Sequence, residues 1–425
     1  MKLKNENIEL HDLMNQIGIK SKKSQIEIAN SSNIKRNKVL QKFSELIEIN
    51  KDKLIKANQI DIAQSKQRGV KDSYLDRLEL NEKRILSMSK QIKNISFFDD
   101  PLNKTLSSWL RPNGLKISRI SVPLGVLGII YESRPNVTAD AAALAIKSGN
   151  SVILRCGSDS YNSCNFLVNL VRDALSENEF SKDAVQLVPT NDRDAVGYML
   201  RMSDLIDVII PRGGRSLVEK VQKEARVPVF SHLEGICHIY VDKSADFDKS
   251  LSVVLNGKMR RTGICGATET LLVDESIAKK FLPQVTDVLE KSGCKLLGDS
   301  KSRSIVPSIG LASDKDWVTE YLAPILSIKV VRGVHDAIEH IRQYGTQHTD
   351  AIMTEDEKIA EKFTTLVDSA IVMVNTSTQF ADGAEFGLGA EIGISTGRLH
   401  ARGPVGVDQL TSFKYVVYGS GQTRP

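Results

Sequence analysis

Residues 122–137 read Val-Pro-Leu-Gly-Val-Leu-Gly-Ile-Ile-Tyr-Glu-Ser-Arg-Pro-Asn-Val. The apolar part of this stretch is short, rich in β-branched residues and too often broken by glycine for a helix, which predicts a strand buried on both faces. Downstream of it strand and helix alternate. Thr138 is expected to cap a helix over 139–147 that Gly149 ends, 151–155 to form a strand, and Asp159 or Ser160 to cap a helix running to about Ser176. Apolar runs at 185–188, 205–210, 227–230 and 239–241 continue the series. Such alternation is the signature of a mostly parallel sheet covered by helices on both faces.

A second alternating series occupies 269–273, 326–331, 351–353 and 370–374. Before the deciding stretch the chain reads as helical: Val39, Phe43, Leu46, Ile47 and Leu54 recur at three- and four-residue spacing, Ser31, Ser32 and Asn33 offer N-caps and Gly69 a stop. These helices are expected to pack one face on a later domain, with most lysines in solvent. Around Pro112-Asn113-Gly114 the period changes to two, predicting a hairpin, and Thr411, Phe413, Tyr415 and Val417 alternate in a tail strand suited to pair with it. The fold class is therefore α/β, with two α/β domains of parallel-rich sheet and a small β-arm.

Composition agrees. The chain has 425 residues, 41% hydrophobic and 26% charged, with a net charge of +5, which excludes disorder as the main state and gives no reason to expect a nucleic-acid partner. The N-terminal segment lacks an apolar signal region, and no stretch approaches the roughly 18 apolar residues of a membrane helix, so a soluble, cytoplasmic protein is expected. Five cysteines without a CxxC pair suit a reducing compartment.

Chemistry is concentrated in Lys258-Met-Arg-Arg-Thr-Gly-Ile-Cys-Gly-Ala-Thr-Glu269, where Cys265 stands in a glycine-marked loop behind Lys258, Arg260 and Arg261. A loop exposes sulfur and nearby positive charge favours thiolate, so Cys265 is the candidate nucleophile; Cys156, Cys164, Cys237 and Cys294 lie in or beside apolar runs and read as structural. In 209–218 a strand enters the Gly213-Gly214 turn and a helix begins, presenting backbone N–H groups to an anion. Neither GxGxxG nor GxxxxGK[ST] occurs, and His335, His340 and His348 lack metal-ligand spacing, so no metal is expected. A cysteine hydrolase using His232, His238 or His348 stays open on spacing alone.

Together these motifs resemble the aldehyde dehydrogenase superfamily and, within it, the γ-glutamyl phosphate reductases. The resemblance is carried by 122–137, Ile210-Pro-Arg-Gly-Gly214, 234–242, the Cys265 loop, Gly345-Thr-Gln-His-Thr-Asp350, Phe386-Gly-Leu-Gly-Ala-Glu391 and Leu399-His-Ala-Arg-Gly-Pro404. It implies a cofactor-binding domain over 1–102 and 122–237 with part of 385–401, a catalytic domain over 238–384, and an oligomerisation arm of 103–121 and 402–425. It also implies NADPH-dependent reduction of L-glutamyl 5-phosphate to L-glutamate 5-semialdehyde and phosphate, the second step of proline biosynthesis, by a homo-oligomer. Cys265 would form the thioester and Asn136 would donate to the oxyanion. Arg155 would favour NADP through its 2′-phosphate, Gly213 and Gly214 would lie by the dinucleotide, and Glu320 would bind the nicotinamide ribose. Arg134, Arg260, Arg261, His348 and Arg402 are the candidates for the substrate's charges. Glu234 lies near, but not clearly on, the position of the superfamily's water-activating glutamate, which agrees with a site that excludes water; a water-using aldehyde dehydrogenase is the nearest rival and a non-catalytic scaffold another. The reductase match uses up the chain, so glutamyl phosphate is expected from a separate glutamate 5-kinase in transient contact.

Overall fold

The computed structural model describes residues 2–424 except 71 and 232. His232, one of the histidines considered for a hydrolase, lies outside the described residues. The chain divides into two compact units, Met1–Ser231 with Gly387–Gly393 and Val405–Pro425, and His232–Phe386 with Ile394–Pro404.

In the first unit the hairpin strands β1 (Thr105–Leu110) and β2 (Lys116–Pro123) pair antiparallel, and Gly114 in their turn takes a φ of +86°. The tail strand Thr411–Tyr418 adds antiparallel to β2, as its alternation predicts. The deciding stretch forms β3 (Val126–Tyr131), followed by β4 (Ser151–Arg155), β5 (Val185–Leu187) and β6 (Val208–Arg212), a parallel sheet in the order β5-β4-β3-β6. Segment 227–230, read as a strand, contributes only the bridge Ile209–Val229, because Pro228 has no N–H to extend the ladder. Val126, Ile130, Ile153 and Ile209 pack with Leu10, Met14 and Ile17 of the N-terminal helix Lys2–Ala29. Toward the Ala-rich helix Asn136–Lys147, Tyr131 meets Thr138 through a hydroxyl contact of 2.7 Å.

Two helix starts differ from expectation. Helix Asn136–Lys147 begins two residues before Thr138, which is therefore internal and buried. Ser160 precedes Tyr161–Glu177 without a side-chain cap; instead Asp61, from the helix Lys51–Gln67, accepts the N–H groups of Asn162 at 3.1 Å and Ser163 at 2.8 Å. The early helices do pack on later elements: the buried Lys147 ammonium donates to Asn33 and Asn37 at 2.9 and 2.8 Å.

The second unit holds β7 (Cys237–Val241), β8 (Thr268–Asp274), β9 (Lys295–Gly298), β10 (Gly310–Leu311), β11 (Ile325–Val331), β12 (Thr349–Met353) and β13 (Ile371–Val374), all parallel, in the order β10-β9-β11-β8-β7-β12-β13. Alternation sends Ile239, Val241, Leu271 and Val273 into one core with Phe281 and Leu282, and Tyr240 and Leu272 into another with Ile338 and Phe363. The unit begins earlier than residue 238 because the N–H groups of Gly235 and Ile236 are held by Glu320 and Thr346 of this same unit. Residues 402–404, expected in the arm, fall here too, since Gly403–Pro404 pairs with Ile394–Ser395.

Candidate active site

In the second unit, helix Phe247–Met259 is capped by Asp246, whose side chain accepts from Lys249 N–H, and β8 begins at Thr268. The loop between them carries the nucleophile candidate. Ala267 N–H donates to Ile264 C=O at 3.0 Å, closing a turn with Cys265 and Gly266 at its centre. Cys265 is half-buried, whereas the other four cysteines are buried.

This turn is fixed from several sides. Lys258 and Glu269 bridge its two ends at 2.5 Å. Gln379 Nε2 donates to Gly257 C=O at 2.9 Å and Arg261 C=O at 3.3 Å, while Thr268 and Thr378 hydroxyls meet at 2.9 Å. Beneath it the Cys237 thiol donates to Cys265 C=O at 3.1 Å. Burial, ahead of the nearby acids, pushes the Cys237 thiol well above its ordinary range, so it stays a protonated donor. Gly235 touches the same backbone: a Cβ there would stand 2.0 Å from Cys265 O and 2.7 Å from its Cα. Glu320 Oε1 accepts Gly235 N–H at 2.9 Å, so its carboxylate positions this contact.

In the first unit, Asn136 opens its helix with an exposed side chain, and its Nδ2 donates to Asp140 Oδ2 at 3.2 Å. Gly213 and Gly214 follow β6 as expected. A Cβ on Gly213 would strike Glu132 Oε2 at 2.7 Å, and Gly214 N–H donates to that oxygen at 3.1 Å. Gly214 N-caps the helix Arg215–Glu224 without a side-chain cap bond, and a Cβ on it would meet nothing within 4 Å. The exposed Glu132 carboxylate thus already stands at this helix start as an anion would. Arg155 departs from expectation: it is 8% exposed, and its Nη atoms donate to Asn191 C=O at 3.1 Å, Asp192 C=O at 3.3 Å and Cys156 C=O. The strand end is a place where backbone carbonyls converge, and the guanidinium satisfies them instead of facing outward.

The substrate candidates separate in the same way. Arg260 and Arg261 are exposed and Arg134 half-buried. Arg260 lines a cavity of about 340 Å³ with Ser252, Asn256, Ser377, Gln379 and Glu385. His348 is buried, its Nδ1 2.9 Å from Thr349 Oγ1 and 3.7 Å from Cys237 Sγ, under the nucleophile turn and away from solvent. Arg402 is taken up by Asp368, reaching its carboxylate at 2.5 Å and its carbonyl at 2.6 Å. Gln379 and Glu385 were not singled out by sequence reasoning; the only signal for them is their place just after β13, at the strand ends where α/β sheets hold their ligands.

The model of the aldehyde dehydrogenase family matches residues 14–304. A γ-glutamyl phosphate reductase of Paramagnetospirillum magneticum is 52% identical over 417 residues, covering 98% of this chain and 99% of its own. One from Rhizobium etli is 51% identical over 418 residues, 98% of each chain. The crystal structure of γ-glutamyl phosphate reductase from Thermotoga maritima superposes with a TM-score of 0.95 at 44% identity, covering 97% of this chain and 100% of that one. With that agreement over nearly the full length, the chain belongs to the aldehyde dehydrogenase family and, within it, to the γ-glutamyl phosphate reductases.

Proposed function

We infer that this chain reduces L-glutamyl 5-phosphate to L-glutamate 5-semialdehyde with release of phosphate, using NADPH, as the second step from glutamate to proline. The observation that carries the reading is the Cys265 turn: of the five cysteines it holds the one that is not buried, on a backbone locked by Cys237, Gly235, Gln379 and the Lys258–Glu269 pair. Cys265 Sγ attacks the acyl carbon as the bond to phosphate oxygen breaks, leaving a thioester. The amide of Asn136 and the Cys265 N–H donate to the oxygen that gains charge during attack, a type of interaction whose loss typically costs about 3 kcal/mol of barrier.

The start of Arg215–Glu224 and the Gly213-Gly214 turn fit a dinucleotide phosphate once the exposed Glu132 side chain, which accepts Gly214 N–H, gives way to it. NADPH bound there supplies the hydride that takes the thioester to the aldehyde level. Arg155 contributes by holding the Asn191 and Asp192 carbonyls at the end of β4, so NADPH over NADH rests on the family and not on this guanidinium. For the amino-acid end of the substrate, the Arg260 cavity offers a cation and, in Glu385, an anion, which complement an α-carboxylate and an α-ammonium. Arg261 and Arg134 are further cations for the phosphate.

The test is the reverse reaction: NADPH formation from glutamate semialdehyde should require phosphate or arsenate and vanish in Cys265→Ala. Turnover independent of both anions would favour a water-using dehydrogenase, turnover without nicotinamide a thiol hydrolase, and full activity of Cys265→Ala in cells a scaffold. The chain is further read as a homo-oligomer, because the antiparallel sheet exposes Leu110, Trp109, Phe413, Tyr415 and Val417 together. Light scattering showing a monomer at micromolar concentration would remove that reading. Transient contact with a separate glutamate 5-kinase follows from the short life of acyl phosphates, which cyclise; undiminished flux with the two proteins held apart would count against it.

A further inference from the structure

The helix that Asn136 opens is nearly all small and apolar, with Ala139, Ala141, Ala142, Ala143, Leu144, Ala145 and Ile146 buried, yet Asp140 sits among them at 9% exposure. One turn separates Asp140 from Asn136, the spacing at which helix side chains face each other. The Asp140 carboxyl has a single bond, from Asn136 Nδ2 at 3.2 Å to Oδ2; its Oδ1 has no hydrogen-bond partner. The charged group that faces it is Arg212, at the end of β6, whose Nε is likewise unpartnered. Burial pushes the Asp140 carboxyl up to about 7, against the pull of the Asn136 bond and of Arg212. A buried acid so poorly served contributes little to holding the fold together.

We propose that Asp140 is a positioning residue that sets the orientation of the Asn136 carboxamide. An amide turned by 180° has nearly the same shape, so packing does not choose between its two faces; a hydrogen-bond partner does. Once ionised, as above its pKa of about 7, the Asp140 carboxylate only accepts, so the Asn136 NH₂ must turn toward it, using one hydrogen and leaving the other for the substrate oxygen. The opposite orientation sets the amide oxygen against the carboxylate and offers an acceptor where a donor is needed. The proposal rests on Asn136 being the oxyanion donor.

The experiment measures kcat and KM in the phosphate-dependent reverse reaction. Asp140→Leu keeps the volume and suits a buried helix; it should lower kcat roughly ten- to hundredfold, less than or equal to the loss in Asn136→Ala, with KM for NADP unchanged. Asp140→Asn, whose amide can donate to Asn136 Oδ1 as well as accept from its Nδ2, no longer dictates the orientation and should recover only part of that loss. In an Asn136→Ala background Asp140→Leu should have no further effect on kcat. Full kcat in Asp140→Leu beside an impaired Asn136→Ala overturns the proposal and leaves the Asn136 reading standing, as does an equal loss of kcat in both backgrounds. Full kcat in Asn136→Ala removes the donor role itself, and the proposal with it.

Discussion

Lys258 and Glu269 close a buried ion pair across the two ends of the loop that carries Cys265, 2.5 Å apart with side chains 0% and 1% exposed. Burial outweighs the attraction of Lys258 and pushes the Glu269 carboxyl up to about 7. Removing the cation alone therefore leaves a carboxyl that folds only with a proton on it. A group whose folded pKa exceeds its unfolded value holds a proton on folding that the unfolded chain lacks, so its contribution is lost as pH rises. Lys258→Met should be destabilised by up to about 3–5 kcal/mol at pH 8, and its stability should keep falling above pH 7, by about 1.4 kcal/mol per unit, where wild type levels off. Adding Glu269→Leu should abolish the slope. Urea midpoints at pH 7 and pH 8 measure both; a pH-independent loss in Lys258→Met would show that Glu269 stays ionised.

Gly235 meets the Cys265 backbone so closely that any Cβ must displace it, 2.0 Å from the carbonyl oxygen being far inside contact distance. Gly235→Ala should leave the fold intact, because β7 begins beyond it, but shift the Cys265 backbone by a fraction of an ångström to an ångström. Displacement on that scale lowers turnover by about 10²-fold. Stopped-flow kcat and the rate of Cys265 alkylation by iodoacetamide check it, and a wild-type kcat would mean that the turn absorbs the shift.

Most strands of the two parallel sheets were legible as short apolar runs between glycine-marked turns, β3 from residues 126–131 alone, but β9 and β10 are too short to announce themselves, and 239–241, read with the first series, is β7 of the second sheet. Cys265 was legible for the same reason, as a cysteine in a glycine-rich turn behind cations. What sequence does not reveal is partnership at a distance. The cap of Tyr161–Glu177 comes from Asp61, about a hundred positions earlier, so the local candidates Asp159 and Ser160 were the wrong ones. Arg155 reads as an outward cation until the loop that ends at Asp192 folds its carbonyls onto it. His348 lies in a family-like motif, but as β12 starts beside it the ring turns inward to Cys237.

The Asp61 cap can be separated from catalysis. Its two oxygens accept N–H groups of Asn162 and Ser163 and the Ser163 hydroxyl at 2.6 Å, tying helix Lys51–Gln67 to Tyr161–Glu177. Asp61→Ala removes the cap and the acceptor of the Ser163 hydroxyl, which keeps only the bond from Asn58 Nδ2 at 3.1 Å, and should lower stability by about 2 kcal/mol. Thermal melts read the loss. kcat per folded molecule should stay at the wild-type value, and a fall in kcat at full folding would place Asp61 in the working site.

A buried, neutral His340 should make the second unit sensitive to acid. Its ring is enclosed by Trp317, Tyr344 and His238, with centroids at 5.4, 4.6 and 5.6 Å, and its Nδ1 accepts from the Lys329 ammonium at 3.1 Å. Burial first, then His238 and Lys329, push its pKa from 6.5 down to about 2, so the folded ring stays neutral where the unfolded chain takes a proton. The unfolded state then binds more protons, and stability falls as pH drops below about 6.5, by up to about 1.4 kcal/mol per unit from this residue. His340→Phe fills the same aromatic enclosure without a titrating nitrogen and should flatten that part of the slope. Urea midpoints at pH 7 and pH 5 decide: if wild type and His340→Phe lose stability in parallel, the acid sensitivity comes from other groups and His340 carries its proton in the fold.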